Sequence, residues 1–186
     1  MTKQGRVVLA AIFAFAAAPA GANDHRQEHL SAGLKGFHEV PVNSTTGAAF
    51  FSATISADET EIAWEMSYDG LQGKILQSHI HFGQPGVNGG IAVFLCTNLN
   101  NIPAGTTVQA CPTPPATISG KIHAGDVVGP TAQGIAPGEF AELIKAIRGH
   151  VTYVNIHSDI WPSGEIRGRV HDHQKDGHHH HGDHDD

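Results

Sequence analysis

From Ala48 onward, short runs of aromatic and β-branched residues alternate with clusters of turn formers. Ala48–Ser56 (AAFFSATIS) and Glu61–Tyr68 (EIAWEMSY) read as strands on either side of a turn at 57–60. Lys74–Phe82 and Gly90–Cys96 read as two more, parted by the loop-forming stretch GQPGVNGG. After a Pro/Thr/Asn-rich excursion at 97–116, Ala116–His123 is a further strand, and Val151–His157 and Glu165–His171 are the last two. The polar residues 23–36 show no clear period and read as a lead-in that ends in a first strand. One segment departs from the β pattern. In Glu139–Arg148, Phe140, Leu143, Ile144 and Ile147 fall at helical spacing, behind Pro137-Gly138 and before Gly149. This predicts a short amphipathic helix over a sheet edge or open end. The fold class is therefore all-β, an antiparallel sandwich or barrel of seven or eight strands with one short helix.

The two ends follow different rules. Lys3 and Arg6 precede an apolar run at Val7–Ala18, Pro19 breaks it, and Ala20-Gly21-Ala22 supplies small residues for a cleavage site. The run is too short for a membrane core that needs about 20 apolar residues, so 1–22 reads as a signal peptide. The remaining chain has no second hydrophobic stretch and no expected membrane span. Losing Lys3 and Arg6 takes the formal net charge from −7 to −9, which argues against nucleic acid or an anionic membrane as partner. The expected location is periplasmic or secreted. There, Cys96 and Cys111 suit a disulfide, with a thiolate metal site as the alternative.

Residues 172–186 form a low-complexity His/Asp tail that cannot bury apolar surface. His178, His179, His180, His181 and His184 are interleaved with aspartates, a pattern unlike an affinity tag. They suggest a loose metal-collecting segment for Zn, Cu, Ni or Co. The domain proper is then 23–171.

Strand parity supplies the candidate chemistry. In Ser78-His79-Ile80-His81-Phe82-Gly83, residues i and i+2 share a face, so His79 and His81 stand side by side while Ile80 faces the other way. Paired imidazoles are half of a transition-metal site. In Tyr153-Val154-Asn155-Ile156-His157, a core-facing Val154 and Ile156 put His157 on the polar face. It is either a third ligand or a strand-end histidine bonded to a loop. There is no nucleophile elbow, phosphate-cradling loop or dinucleotide fingerprint.

Four segments in series resemble the CHRD (chordin) domain family. They are Phe37-His38-Glu39-Val40-Pro41, Ser78–Gly83 with Gly86 and Gly89-Gly90, Tyr153–Ser158, and Pro162-Ser163-Gly164-Glu165-Ile166-Arg167-Gly168. The resemblance spans roughly residues 30–170. It implies an immunoglobulin-like or dismutase-like antiparallel β-sandwich, as in the single exported domains of bacterial members, and little about activity. By looser analogy, His79, His81, His157 and Arg167 look like the copper-site layout of Cu/Zn superoxide dismutases. A fourth copper histidine and a compact zinc loop are missing. Glu39 and Glu165 lie in the family-like motifs as candidate oxygen ligands. Their alternatives are a hydrogen-bonded turn before Pro41 for Glu39, and a salt bridge to Arg167 or Arg169 for Glu165. The leading expectation is a module for Cu, Zn, Fe or Mn without established turnover. The competing readings are an extracellular or periplasmic interaction domain with a protein partner, and a redox enzyme using copper, iron or manganese.

Overall fold

The computed structural model describes residues 27–173, so the predicted signal peptide and the histidines at 178–181 and 184 lie outside the described residues. Nine strands form one antiparallel sheet: β1 (Glu28–Lys35), β2 (Ala48–Ile55), β3 (Ile62–Asp69), β4 (Ile75–Phe82), β5 (Gly90–Thr97), β6 (Ala116–Ile122), β7 (Thr152–Ser158), β8 (Ile166–Arg169) and β9 (His171–Asp172). The order is β5-β4-β7-β8-β1-β2-β3-β6, with β9 added beside β1. A single residue pair, Lys35 opposite Arg167, joins β8 to β1. The sheet folds at this thin seam into two facing halves, a sandwich nearly closed into a barrel.

The core follows from period-two burial. β3 alternates without exception: Ile62, Trp64, Met66 and Tyr68 point inward, and Ala63, Glu65, Ser67 and Asp69 outward. Phe51, Ala53 and Ile55 of β2 and Leu30, Ala32 and Leu34 of β1 join them from the same half. Ile80, Val154, Ile156 and Ile166 fill the core from the facing half. The predicted helix is present as α1 (Phe140–Arg148), and it buries Phe140, Leu143, Ile144, Ala146 and Ile147 in the same core. At its C-terminus Arg148 pairs with Glu28 at the start of β1 and Glu59 in the β2–β3 turn, so α1 closes that end of the sandwich.

The strand order ends at β5 and β6, and the excursion between them laces them together. Cys96 and Cys111 are disulfide-bonded, with Cα atoms 5.0 Å apart, which replaces the thiolate alternative. Gln109 accepts from Thr97 N at its carbonyl and donates from its amide to the carbonyls of Leu95 and Ser119, one on each edge strand. Closing a loop of this length by a disulfide contributes about 3 kcal/mol on the chain-entropy account.

Two expectations shift in detail. The lead-in yields a full strand, β1, because Leu30, Ala32 and Leu34 alternate beneath a mostly polar surface that masks the period. The last predicted strand divides into β8 and β9 around the buried Val170, so the paired structure runs on through the buried Asp172.

Candidate metal centre

β7 breaks the alternation, since all seven of its residues are buried. Its core face carries Val154 and Ile156, as parity requires. Its outer face is covered by the chain at 36–47, 83–89 and 159–165. Arg167 Nη1 donates to Val87 O and Asn88 Nδ2 donates to Val40 O, while His157 Nδ1–H donates to Pro162 O at 2.9 Å. A polar sheet face has thus become the floor of a second, polar interior.

Register builds the floor as a grid. Across β5-β4-β7-β8, Phe94, His79, Asn155 and Arg167 lie in one row; Ile91, His81, Tyr153 and Arg169 form the next. Directly opposed residues share a face, so the grid gathers the histidines of two strands with Asn155, Tyr153 and Arg167. His157 is opposite Gln77 in the row beyond.

His79, His81 and His157 converge, with one donor nitrogen from each lying within 4.8 Å of the others. His79 Nδ1 and His157 Nε2 are 3.3 Å apart. That is close to the nitrogen–nitrogen edge of a tetrahedral site with metal–nitrogen bonds of about 2.0–2.1 Å. The other ligand nitrogens are up to 4.8 Å apart, wider than this edge. His81 Nδ1–H donates to Gly89 O at 2.9 Å. With the His157–Pro162 bond, this fixes two tautomers: each ring spends its Nδ1 proton on a backbone carbonyl and presents a bare Nε2. The buried Nε2 atoms of His79 and His81 have no hydrogen-bond partner. Burial, reinforced by the neighbouring imidazoles, pushes the His79 pKa down to about 2. Burial also takes His81 down to about 4, and it lowers His157. All three are therefore neutral at pH 7, the form that binds a metal. The donor set fits a transition-metal ion.

The chain matches the CHRD domain over residues 30–170. It belongs to the CHRD family. No curated protein and no solved structure matches it.

In this CHRD domain the two predicted carboxylates lie outside the histidine group. Glu165 is fully buried; Thr45 Oγ1 and Gln72 N donate to its Oε1, each at 2.7 Å, and Gly73 N donates to Oε2. It fastens two loops rather than forming the alternative salt bridge to Arg167 or Arg169. Glu39 takes Arg167 instead. Arg167 Nε is 3.0 Å from Glu39 Oε2, an ion pair with both side chains buried, although the contact lies off the line of a hydrogen bond. Burial raises the Glu39 pKa, and the guanidinium charge opposes that rise. Arg167 also lies over the Tyr153 ring, 4.0 Å from its centroid. The same ring stacks on His81 at 4.8 Å and 3°. A continuous series of contacts thus runs from Glu39 through Arg167 and Tyr153 to His81. Asn155 is buried on this face with its Oδ1 unpartnered.

Tyr153, Arg167 and Asn155 could be placed on this face by parity, but their link to Glu39 depends on loop paths that periodicity does not carry. Gly164 is the other hidden member. Its φ of +136° lies in a region that L side chains rarely adopt, and a Cβ there would be 2.4 Å from Glu39 Oε1. Gly164→Ala is expected to displace the Glu39 carboxylate and destabilise the domain by about 2 kcal/mol, measured by urea unfolding. An unchanged midpoint would show that Glu39 is not held at this glycine.

Proposed function

We propose that this CHRD domain is an exported metal-binding module in which His79, His81 and His157 hold one transition-metal ion. The observation that carries the reading is the convergence of three buried, neutral imidazoles, one ligand nitrogen from each within 4.8 Å of the others, with the Nε2 atoms of His79 and His81 left without a hydrogen-bond partner. Leaving such groups unpaired in a dry interior costs about 1–3 kcal/mol each, a cost that a bound cation offsets. Copper, zinc, iron and manganese all suit three imidazoles, and the bound ion would supply Lewis-acid or redox chemistry. The chain's own part is to orient the rings through the Gly89 and Pro162 carbonyls and keep them neutral. Glu39 and Glu165 remain secondary candidates, each needing to leave its present partners. Export through residues 1–22 agrees with the disulfide and with a family of extracellular domains; among the described residues no helix is long and apolar enough to cross a membrane. The histidines at 178–181 and 184 would form a second, looser site that collects metal.

The test is elemental analysis of a chain ending at His173, which retains β9 and removes the distal histidines. Purified without added metal or chelator, it is expected to carry close to one metal ion per chain. His79→Ala with His81→Ala should weaken that binding at least a hundredfold while leaving far-ultraviolet circular dichroism unchanged. An empty protein after reconstitution with all four metals would sink the site and favour a domain that binds a protein partner instead.

A further inference from the structure

Beside the histidine group the outer face opens into a cleft of about 430 Å³. Gly33, His38, Tyr153, Arg167, Arg169 and His171 line it, together with the turn at 83–86. The chain carries 18 acidic against 11 basic side chains, yet none of the described residues lining this cleft is acidic. The sequence disperses its few cations elsewhere; here register places Arg167 and Arg169 of β8 side by side on one face, and the loop after β1 and strand β9 bring His38 and His171 to its rim.

The two arginines are not equivalent. Arg167 is buried, paired with Glu39 and bonded to Val87 O and Asn88. Arg169 is exposed and, among the described residues, donates its Nε alone, to His150 O at 2.9 Å, which holds the guanidinium in place and leaves both terminal nitrogens for a ligand. His38 is oriented too, with Nδ1 bonded to Arg167 O at 3.2 Å. The remaining wall is uncharged, formed by Thr152, Tyr153, Gly33 and the turn at 83–86. A Cβ on Gly33 or Gly86 would meet nothing within 4 Å, so the space beside them is open rather than closely packed. The volume falls within the range of small-molecule sites and is far larger than a bare inorganic ion needs.

We infer that this cleft binds a small organic anion, with a carboxylate or phosphate head on the Arg169 guanidinium and an uncharged body along the Gly33 and 83–86 walls. Arginine's planar fork matches the two oxygens of either head group. The site stands apart from the metal reading. Its Tyr153 wall is nonetheless the ring stacked on His81, so a bound anion lies one ring away from the histidine group.

Isothermal titration of the full chain tests this, using benzoate and phenyl phosphate as probes, with benzyl alcohol and inorganic phosphate as controls. One or both organic anions are expected to bind at a single site, and which of them binds assigns the head group. Both controls should bind at least tenfold more weakly. Arg169→Gln should weaken the organic anion at least tenfold, and Gly33→Leu, which fills the cleft from an exposed strand position, should abolish its binding. Circular dichroism and the melting temperature establish that each variant is folded; if Gly33→Leu is not, Arg169→Gln carries the test. The inference is overturned if neither organic anion binds, if both variants bind as the parent does, or if either control binds as tightly.

Discussion

Arg167→Leu is expected to destabilise the domain by about 3–5 kcal/mol, far more than a surface arginine would, and the denaturation midpoint in urea measures it. The guanidinium is buried beside an equally buried carboxylate, and removing one partner leaves the other desolvated without compensation. Glu39 already has its pKa raised by burial, with Arg167 the main opposing influence, so without the arginine the carboxyl is driven further toward its neutral form. The guanidinium also fastens the 83–89 loop through Val87 O and Asn88, and Asn88 in turn holds Val40 O. The loss therefore spreads over two of the three segments that cover this face, 83–89 and 36–47. Glu39→Leu combined with Arg167→Leu should recover part of the loss, because no buried charge is left unpaired. If the double variant is as unstable as the two single losses added together, the pair is not coupled, and Arg167 acts only through its loop contacts.

That ion pair marks where the sequence stops being readable. The alternation in Glu61–Tyr68 reports one buried face and one wet face, and β3 has that form. The same rule applied to residues 153–157 sorts the side chains correctly between the faces, but it cannot report that the polar face is roofed over, because the roof comes from loops distant in sequence. Parity was enough to bring His79, His81 and His157 to one side; their approach to within 4.8 Å needed the adjacency of β4 and β7, which the intervening 97–148 segment conceals. Glu165 shows the converse. It lies in a conspicuous motif one residue before β8, and its carboxylate serves Thr45 and the backbone at 72–73, groups that no local pattern associates with it. The cationic cleft was hidden for a similar reason: its arginines and histidines are few, scattered along the chain and outweighed by acidic residues. Local chemistry and strand parity were thus legible, whereas the pairing of charges across loops was not.

Metal-free protein, kept so with a chelator, is expected to lose stability steeply as the pH falls below about 6.5. Above that value the imidazoles are neutral in both the folded and the unfolded chain and contribute nothing to the pH dependence. Below it the unfolded chain binds protons at ordinary imidazole values, while folded His81 resists to about 4 and His79 to about 2. The unfolded state therefore holds more protons, and acid drives unfolding. Each such group contributes a slope of up to about 1.4 kcal/mol per pH unit, so these two together give about 3 kcal/mol per unit between pH 6 and 4. His157, also lowered, acts in the same direction. Glu39 works against them: its raised pKa lets the folded carboxyl take a proton before the unfolded one, a gain as the pH falls toward 4.5, but it is one group against three. Urea unfolding at intervals from pH 7.5 to 4.5 measures the slope, and His79→Leu should reduce it by about 1.4 kcal/mol per unit. A flat profile over that range would mean that water reaches the rings. Added metal should protect most near neutrality, where the bare nitrogens are free to bind it, and its protection should fade in acid as protons compete for the same lone pairs. The acid sensitivity of the empty domain and the pH range of its metal affinity thus have one cause, the exclusion of water from three neutral imidazoles.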